Sequence, residues 1–210
     1  MNELRIGWSV IDQDMQDSLS EEGKNMFNEE RVAQMAAFLL SKRGGRMAYL
    51  KLMKLLYLSD RESMSRFGES ISGDLMVSMP HGPVLSQTLN LIRGGGEHAD
   101  GWNEWISGEA NYEVAIRRNV SGRDDFDLLS DVDLEILTKV WHEFGHMTRY
   151  QIRDYTHDHC PEWQDPRGSA YPIKEEDLFL AVGKSPEVAG AMAQHLREQR
   201  QLDEITSRLR

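Results

Sequence analysis

MAYLKLMKLLYLSDRESMSRF, Met47 to Phe67, carries one helical period from end to end. At 100° per residue Tyr49, Met53, Leu56, Met64 and Phe67 fall in a single apolar stripe, with Lys51, Lys54, Arg61 and Glu62 on the far side. The pattern predicts a long helix, central to a core and ended by Gly68. Asp60 falls inside the apolar stripe. It must therefore meet a donor or cation in the fold or stand at a cleft.

A shorter helix is expected upstream, in NEERVAQMAAFLLSK, where Asn28 can cap and Val32, Met35, Ala36 and Leu39 recur until Gly44-Gly45. Downstream, ESISGDLMVSMPHGPVL places turn residues around a short extended run. Pro83 suits the first position of a helix reaching Ile92 and the Gly94-Gly95-Gly96 break. Asn111 to Val120 and Phe126 to Leu129 read as short strands with Gly122 in the turn between them. Further helices are predicted over 131–144, 149–158, 174–182 and 186–208. The expected fold is mostly α (α+β): one compact helical domain, residues 28–182, with a small β-hairpin element. An acidic N-terminal extension, residues 1–27, precedes it, and a C-terminal amphipathic helix, residues 183–210, follows.

With 210 residues the chain can bury a core without disulfides or metals as staples. No apolar run approaches the roughly 20 residues that span a bilayer, and no basic-then-apolar leader opens the chain, so a soluble, cytoplasmic protein is expected. The single cysteine, Cys160, excludes an internal disulfide and fits a reducing compartment. The net charge of −11, from 35 acidic against 24 basic residues, argues against a phosphate-backbone surface and favours a cationic protein partner. Residues 1–30 alone hold eight acidic side chains against Arg5 and Lys24. They read either as a solvated tail that aids solubility or as a partner-binding arm.

The most explicit chemical motif is HEFGH, His142 to His146, which matches the H-E-x-x-H of zinc hydrolases. In such sites two histidines four apart on one helix face bind the metal and the glutamate activates its water. Here Gly145 suits the left-handed position past a helix end, and Thr148 with Gln151 makes a capping box that opens a new helix. His146 would then lie off the helix. The third ligand of the longer H-E-x-x-H-x-x-G-x-x-H site is missing too, since Arg149 and Ile152 stand at its glycine and histidine positions. His157, His159 and Cys160 could be recruited, but DYTHDHCPEW reads as a helix end before Pro161. A zinc-dependent hydrolase stays a remote reading. No nucleophile elbow or phosphate-cradling loop is present, so no catalytic residue, cofactor or metal is expected.

LMKLLYLSDRESMSRFGESISGD, followed by MPHGPVLSQTLNLI and later by LTKVWHEFGHMTRYQIRDYTHDHCPEW, resembles the Panacea domain. That family shares a K-L-L-Y-type helix, an H/Y-G-P-V turn, and a helix ending in T-H near a P-x-W. The resemblance covers about residues 28–182. It implies an antitoxin-like protein that binds and neutralises a small cognate toxin, or an adaptor delivering a toxin to an AAA+ protease, with no cofactor. It carries no metal role to His142, Glu143 or His146. Neither the N-terminal extension nor the C-terminal helix belongs to the family core.

Candidate partner contacts are the polar stripe Lys51, Lys54 and Arg61, the turn residue His81, and Trp102 and Trp105 as exposed aromatics. Alternatively the stripe is a solvated helix face, the tryptophans are core, and His81 with Pro83 only fixes the turn. Val188, Met192, His195, Leu196, Gln199, Leu202, Ile205 and Leu209 form a C-terminal stripe that can pack on the domain, hold a toxin or pair two copies as a homodimer. Neither direct nucleic-acid binding nor a membrane is expected.

Overall fold

The computed structural model describes residues 27–95, 99–108 and 111–209. The acidic extension expected over residues 1–27 lies almost entirely outside them. The first helix, α1 (Glu29–Ser41), begins where expected, with the Asn28 side chain accepting from the Arg31 amide at 2.9 Å. Every residue from Val32 to Leu40 is buried. After the glycine break, β1 (Arg46–Ala48) leads directly into α2 (Tyr49–Phe67), and Gly68 ends that helix at φ 84° with its amide bonded to the Met64 carbonyl.

The central position of α2 is as read from its apolar stripe, but its polar side is not solvated. Lys51 and Lys54 are 3% and 0% exposed, whereas Phe67, assigned to the apolar stripe, is 56% exposed. The helix is enclosed on several sides, by α1, by the hairpin β2 (Met76–Met79) and β3 (Gly82–Leu85), and by the two later helices α5 (Asp131–Phe144) and α6 (Arg149–His159). Burying a leucine-sized side chain contributes about 1.5–3 kcal/mol, so Leu52, Leu55, Leu56 and Leu58 favour that enclosure. A buried amine without a partner would cancel much of the gain at about 2–7 kcal/mol. Both lysines therefore need acceptors inside the fold.

Pro83 does not start a helix. It lies on β3, opposite Ser78, and β3 is the edge of the three-stranded sheet ordered β3-β2-β5, where β5 is Tyr171–Pro172. An edge strand tolerates a residue that cannot donate to the ladder. The helix α3 (Ser86–Ile92) begins three residues later. Its N-cap, Leu85, has no capping side chain. Asp74 supplies the cap from a distance, accepting from the amides of Gln87 at 2.9 Å and Thr88 at 2.7 Å.

The hairpin expected between residues 111 and 129 is absent. Only β4 (Glu113–Ala115) forms, and it pairs antiparallel with β1 rather than with a following strand. Phe126 and Leu129 are both buried, yet in turns. A strand would send residues three apart to opposite faces; here a turn closed by the Leu129 amide on the Phe126 carbonyl leaves both buried, and Phe126 is held between Phe38 and Trp105, with ring centroids at 5.4 Å and 6.1 Å. A helix that was not anticipated, α4 (Asp100–Trp105), puts Trp102 and Trp105 into the core at 0% and 1% exposure. Their nomination as exposed aromatics is overturned.

α5 and α6 keep close to their expected bounds, opened by the capping boxes Ser130/Asp133 and Thr148/Gln151. α7 (Glu175–Ala181) packs on α8 (Pro186–Arg208), joined by an Arg200–Glu175 ion pair. Ala189, Ala193 and Leu196 form the buried face of α8, so only part of its expected stripe meets the domain. Val188, Leu202, Ile205 and Leu209 remain exposed. Among the described residues no helix is long and apolar enough to cross a membrane.

Candidate functional site

The polar residues of α2 reach distant parts of the chain. Lys51 Nζ donates to the carbonyls of Gly145 and Met147, both at 2.7 Å, and lies over the Trp141 ring. One turn on, Lys54 Nζ donates to the Pro83 carbonyl at 2.7 Å. Tyr57 donates its hydroxyl to Glu162 at 2.5 Å, and Arg61 reaches the same carboxylate through Nε at 2.6 Å. Asp60 accepts from the amides of Ile71 and Ser72 and from the Ser72 hydroxyl. It is a satisfied buried carboxylate, the first of the two options its position in the stripe left open.

The Lys54 grip closes on Gly82. This glycine holds φ 89°, and a Cβ there would stand 2.9 Å from Lys54 Nζ, 2.9 Å from Thr156 Oγ1 and 3.0 Å from His157 Cδ2. His157 stacks on Trp163 with centroids 4.2 Å apart, while Trp163 Nε1 donates to the Met79 carbonyl at 2.9 Å. The helix, the H-G-P-V turn and the P-E-W segment are thus one interlocked cluster. His157 Nε2 is buried with no hydrogen-bond partner among the described residues.

Burial governs the charge states. It holds the Lys54 amine well below its usual range, with Cys160 opposing and Arg153 adding to the shift. It lowers His81 and His157, each also facing Arg153 and Lys54. Asp60 is pushed up to about 7 and Asp74 to about 6 by burial, against the hydrogen bonds each accepts. Burial also pushes the Cys160 thiol up to about 12, which is the opposite of an activated nucleophile.

HEFGH divides as its surroundings predict. His142 is exposed on α5, which ends at Phe144, and His146 lies in the turn beyond, so the two imidazoles do not share a helix face. Gly145 departs from expectation, with φ −61° instead of a left-handed value. Its lack of a side chain serves close packing: a Cβ there would sit 2.7 Å from Cδ2 of the Trp141 indole. No group of three or more His, Cys, Asp or Glu able to hold a metal occurs among the described residues.

Beside the cluster, at the N-terminus of α2, opens a cavity of about 30 Å³. Tyr49, His81, Tyr112, Arg149, Tyr150 and Arg153 contribute to its walls.

A family model described as "Antitoxin SocA-like, Panacea domain" matches residues 52–164. The chain belongs to that family. The match spans more than half of the 210 residues and contains Lys54, Tyr57, Asp60, Gly82 and Glu162. No curated protein and no solved structure matches the chain.

In this Panacea domain the six residues nominated from sequence part company. Lys51, Lys54, Trp102 and Trp105 are interior. Arg61 is half-buried on Glu162, and His81 is half-buried at the turn between β2 and β3, on the cavity wall. Only Lys54 and Arg61 are brought into the cluster, with His81 at its edge. Sequence reasoning missed Tyr57 and Glu162. The signals were present, since Tyr57 stands one turn before Arg61 and Glu162 lies inside the P-x-W segment. It also missed Arg149 and Arg153, whose i, i+4 spacing marks one helix face.

Proposed function

We propose that this Panacea domain is the antitoxin of a toxin–antitoxin module and neutralises a cognate protein toxin by direct protein–protein binding. The family match over residues 52–164 carries this reading. Two features support it. Lys54, Tyr57 and Asp60 of the matched core are engaged in internal hydrogen bonds, which favours a pre-organised surface, and such a surface binds at lower entropic cost. The net charge of −11 suits long-range attraction of a cationic toxin. Of the nominated contacts, Arg61 and His81 keep part of their surface outside and are retained as contacts in this reading, whereas Lys51, Lys54, Trp102 and Trp105 are interior.

An antitoxin gene is expected to adjoin a small toxin-like reading frame, and co-expression with that frame in a strain lacking AAA+ proteases tests the reading. Growth rescue with co-purification of the two chains is expected. Rescue confined to protease-containing cells would replace neutralisation by the adaptor role, and no rescue in either strain would refute both. The mass of the purified complex tells whether one copy or a homodimer binds.

A further inference from the structure

We propose that the cavity at the N-terminus of α2 anchors a short acidic, aromatic-bearing segment of the protein partner, with a partner carboxylate seated between Arg149 and Arg153. The inference rests on the antitoxin reading for the partner's identity and on this cavity's own geometry for its chemistry.

Arg149 and Arg153 lie one turn apart on α6, both over the Tyr150 ring, at 4.8 Å and 5.3 Å from its centroid. Arg149 donates to the Tyr150 hydroxyl at 3.0 Å and has no carboxylate partner among the described residues. Arg153 is held by its neighbour Asp154 at 2.6 Å. In a chain of net charge −11, the described residues lining this cavity include two arginines and none that is acidic. Charge complementarity therefore selects an anionic group here.

The adjoining backbone points the same way. Among the described residues α2 starts without a capping side chain and without an acidic residue in its first turn, and the positive end of its dipole lies at the cavity wall. The Tyr49 amide is satisfied by the Tyr112 carbonyl at 3.0 Å. The segment that supplies this carbonyl holds two consecutive non-glycine residues in the left-handed region, Asn111 at φ 55° and Tyr112 at φ 63°. It also stacks the Tyr112 ring on Tyr49, with centroids 6.4 Å apart, while leaving it 42% exposed. Exposed tyrosine beside arginine is the composition of interface hot spots.

At about 30 Å³ the cavity takes one small group, a carboxylate, with an aromatic neighbour resting on the tyrosines outside. A nucleic-acid strand fits less well, because its remaining phosphates would meet an acidic surface. The long-range field then attracts a cationic toxin, and this local inversion of charge sets its register.

The test uses the full chain and the purified product of the adjacent reading frame, with affinities from calorimetry. Arg149→Ala/Arg153→Ala should bind at least about tenfold more weakly with an unchanged melting temperature, and Arg149→Lys/Arg153→Lys should fall between. If wild type binds and the alanine pair binds within twofold of it, this inference is overturned while the antitoxin reading stands. If wild type does not bind, the antitoxin reading fails and a second probe judges the cavity: a fluorescein-labelled octapeptide alternating glutamate and tyrosine. Its binding should disappear in the alanine pair, and arginine-independent or absent binding overturns the proposal. Arginine-dependent binding of a labelled 12-mer oligonucleotide in place of the peptide also overturns it. So does a tenfold gain in peptide affinity when Asp12, Asp14 and Asp17 become Asn, which would assign the cavity to the chain's own acidic segment.

Discussion

Gly82→Ala tests whether the helix, the H-G-P-V turn and the P-E-W segment hold one another. An L-residue at φ 89° bears a conformational cost of about 1–2 kcal/mol. The new Cβ also meets Lys54 Nζ, Thr156 Oγ1 and His157 at 2.9–3.0 Å, inside contact distance of groups that cannot all retreat. Lys54 is tied to the Pro83 carbonyl, Thr156 to the Arg153 carbonyl and His157 to Trp163. Overpacking of this kind adds about 1–3 kcal/mol, for a sum of about 2–5 kcal/mol. Gly94→Ala is the matched control, with φ 78° and nothing within 4 Å, so it bears the conformational cost alone. Any entropic effect of alanine on the unfolded chain cancels in the comparison. Urea unfolding followed by circular dichroism reads the difference. With m of about 2 kcal/mol/M, Gly82→Ala should lower the midpoint by roughly 1–2.5 M and Gly94→Ala by roughly 0.5–1 M. Equal shifts for the two variants would refute the idea that three segments lock around this glycine.

Asp60 makes stability depend on pH. Its carboxyl is raised in the fold from 3.8 to about 7, so the contribution is full below pH 3.8 and is lost as pH rises towards about 7. The loss reaches about 4 kcal/mol. Asp60→Asn should make this limb of the stability-against-pH curve shallower in chemical denaturation, with Asp74, raised to about 6, supplying the remainder, and an unchanged slope would contradict the assignment. Glu162→Ala strands the Tyr57 hydroxyl and the Arg61 guanidinium; breaking such a pair costs about 3 kcal/mol, with a loss under 1 kcal/mol in thermal melts counting against it. His142→Ala, on an exposed helix position, should change stability by less than about 0.5 kcal/mol, and EDTA should leave the melting temperature unchanged. Stoichiometric zinc in the wild type that vanishes in this variant would restore the hydrolase reading.

Local signals along the chain specified local structure. Asn28, Ser130 and Thr148 marked helix starts because a cap acts within three residues of itself. Gly68 marked a helix end for the same reason of range. The motifs that resemble the Panacea family were legible as motifs, and HEFGH could be divided by its own neighbours. Where partners lie far apart in sequence, the period of a helix carried no such information. Lys51 and Lys54 follow a solvent-facing pattern, yet their acceptors are carbonyls 94 and 29 residues away. Pro83 reads as a helix start until an edge strand beside Ser78 makes its missing N–H harmless. Trp102 and Trp105 are interior because α4 packs on α1, which no local pattern announces. The cavity of Tyr49, His81, Tyr112, Arg149 and Arg153 exists only where four remote segments meet. Short-range hydrogen bonding and periodicity are properties of neighbours in the chain. Burial, remote capping and clustered charge are properties of neighbours in space, and those were set when the helices packed.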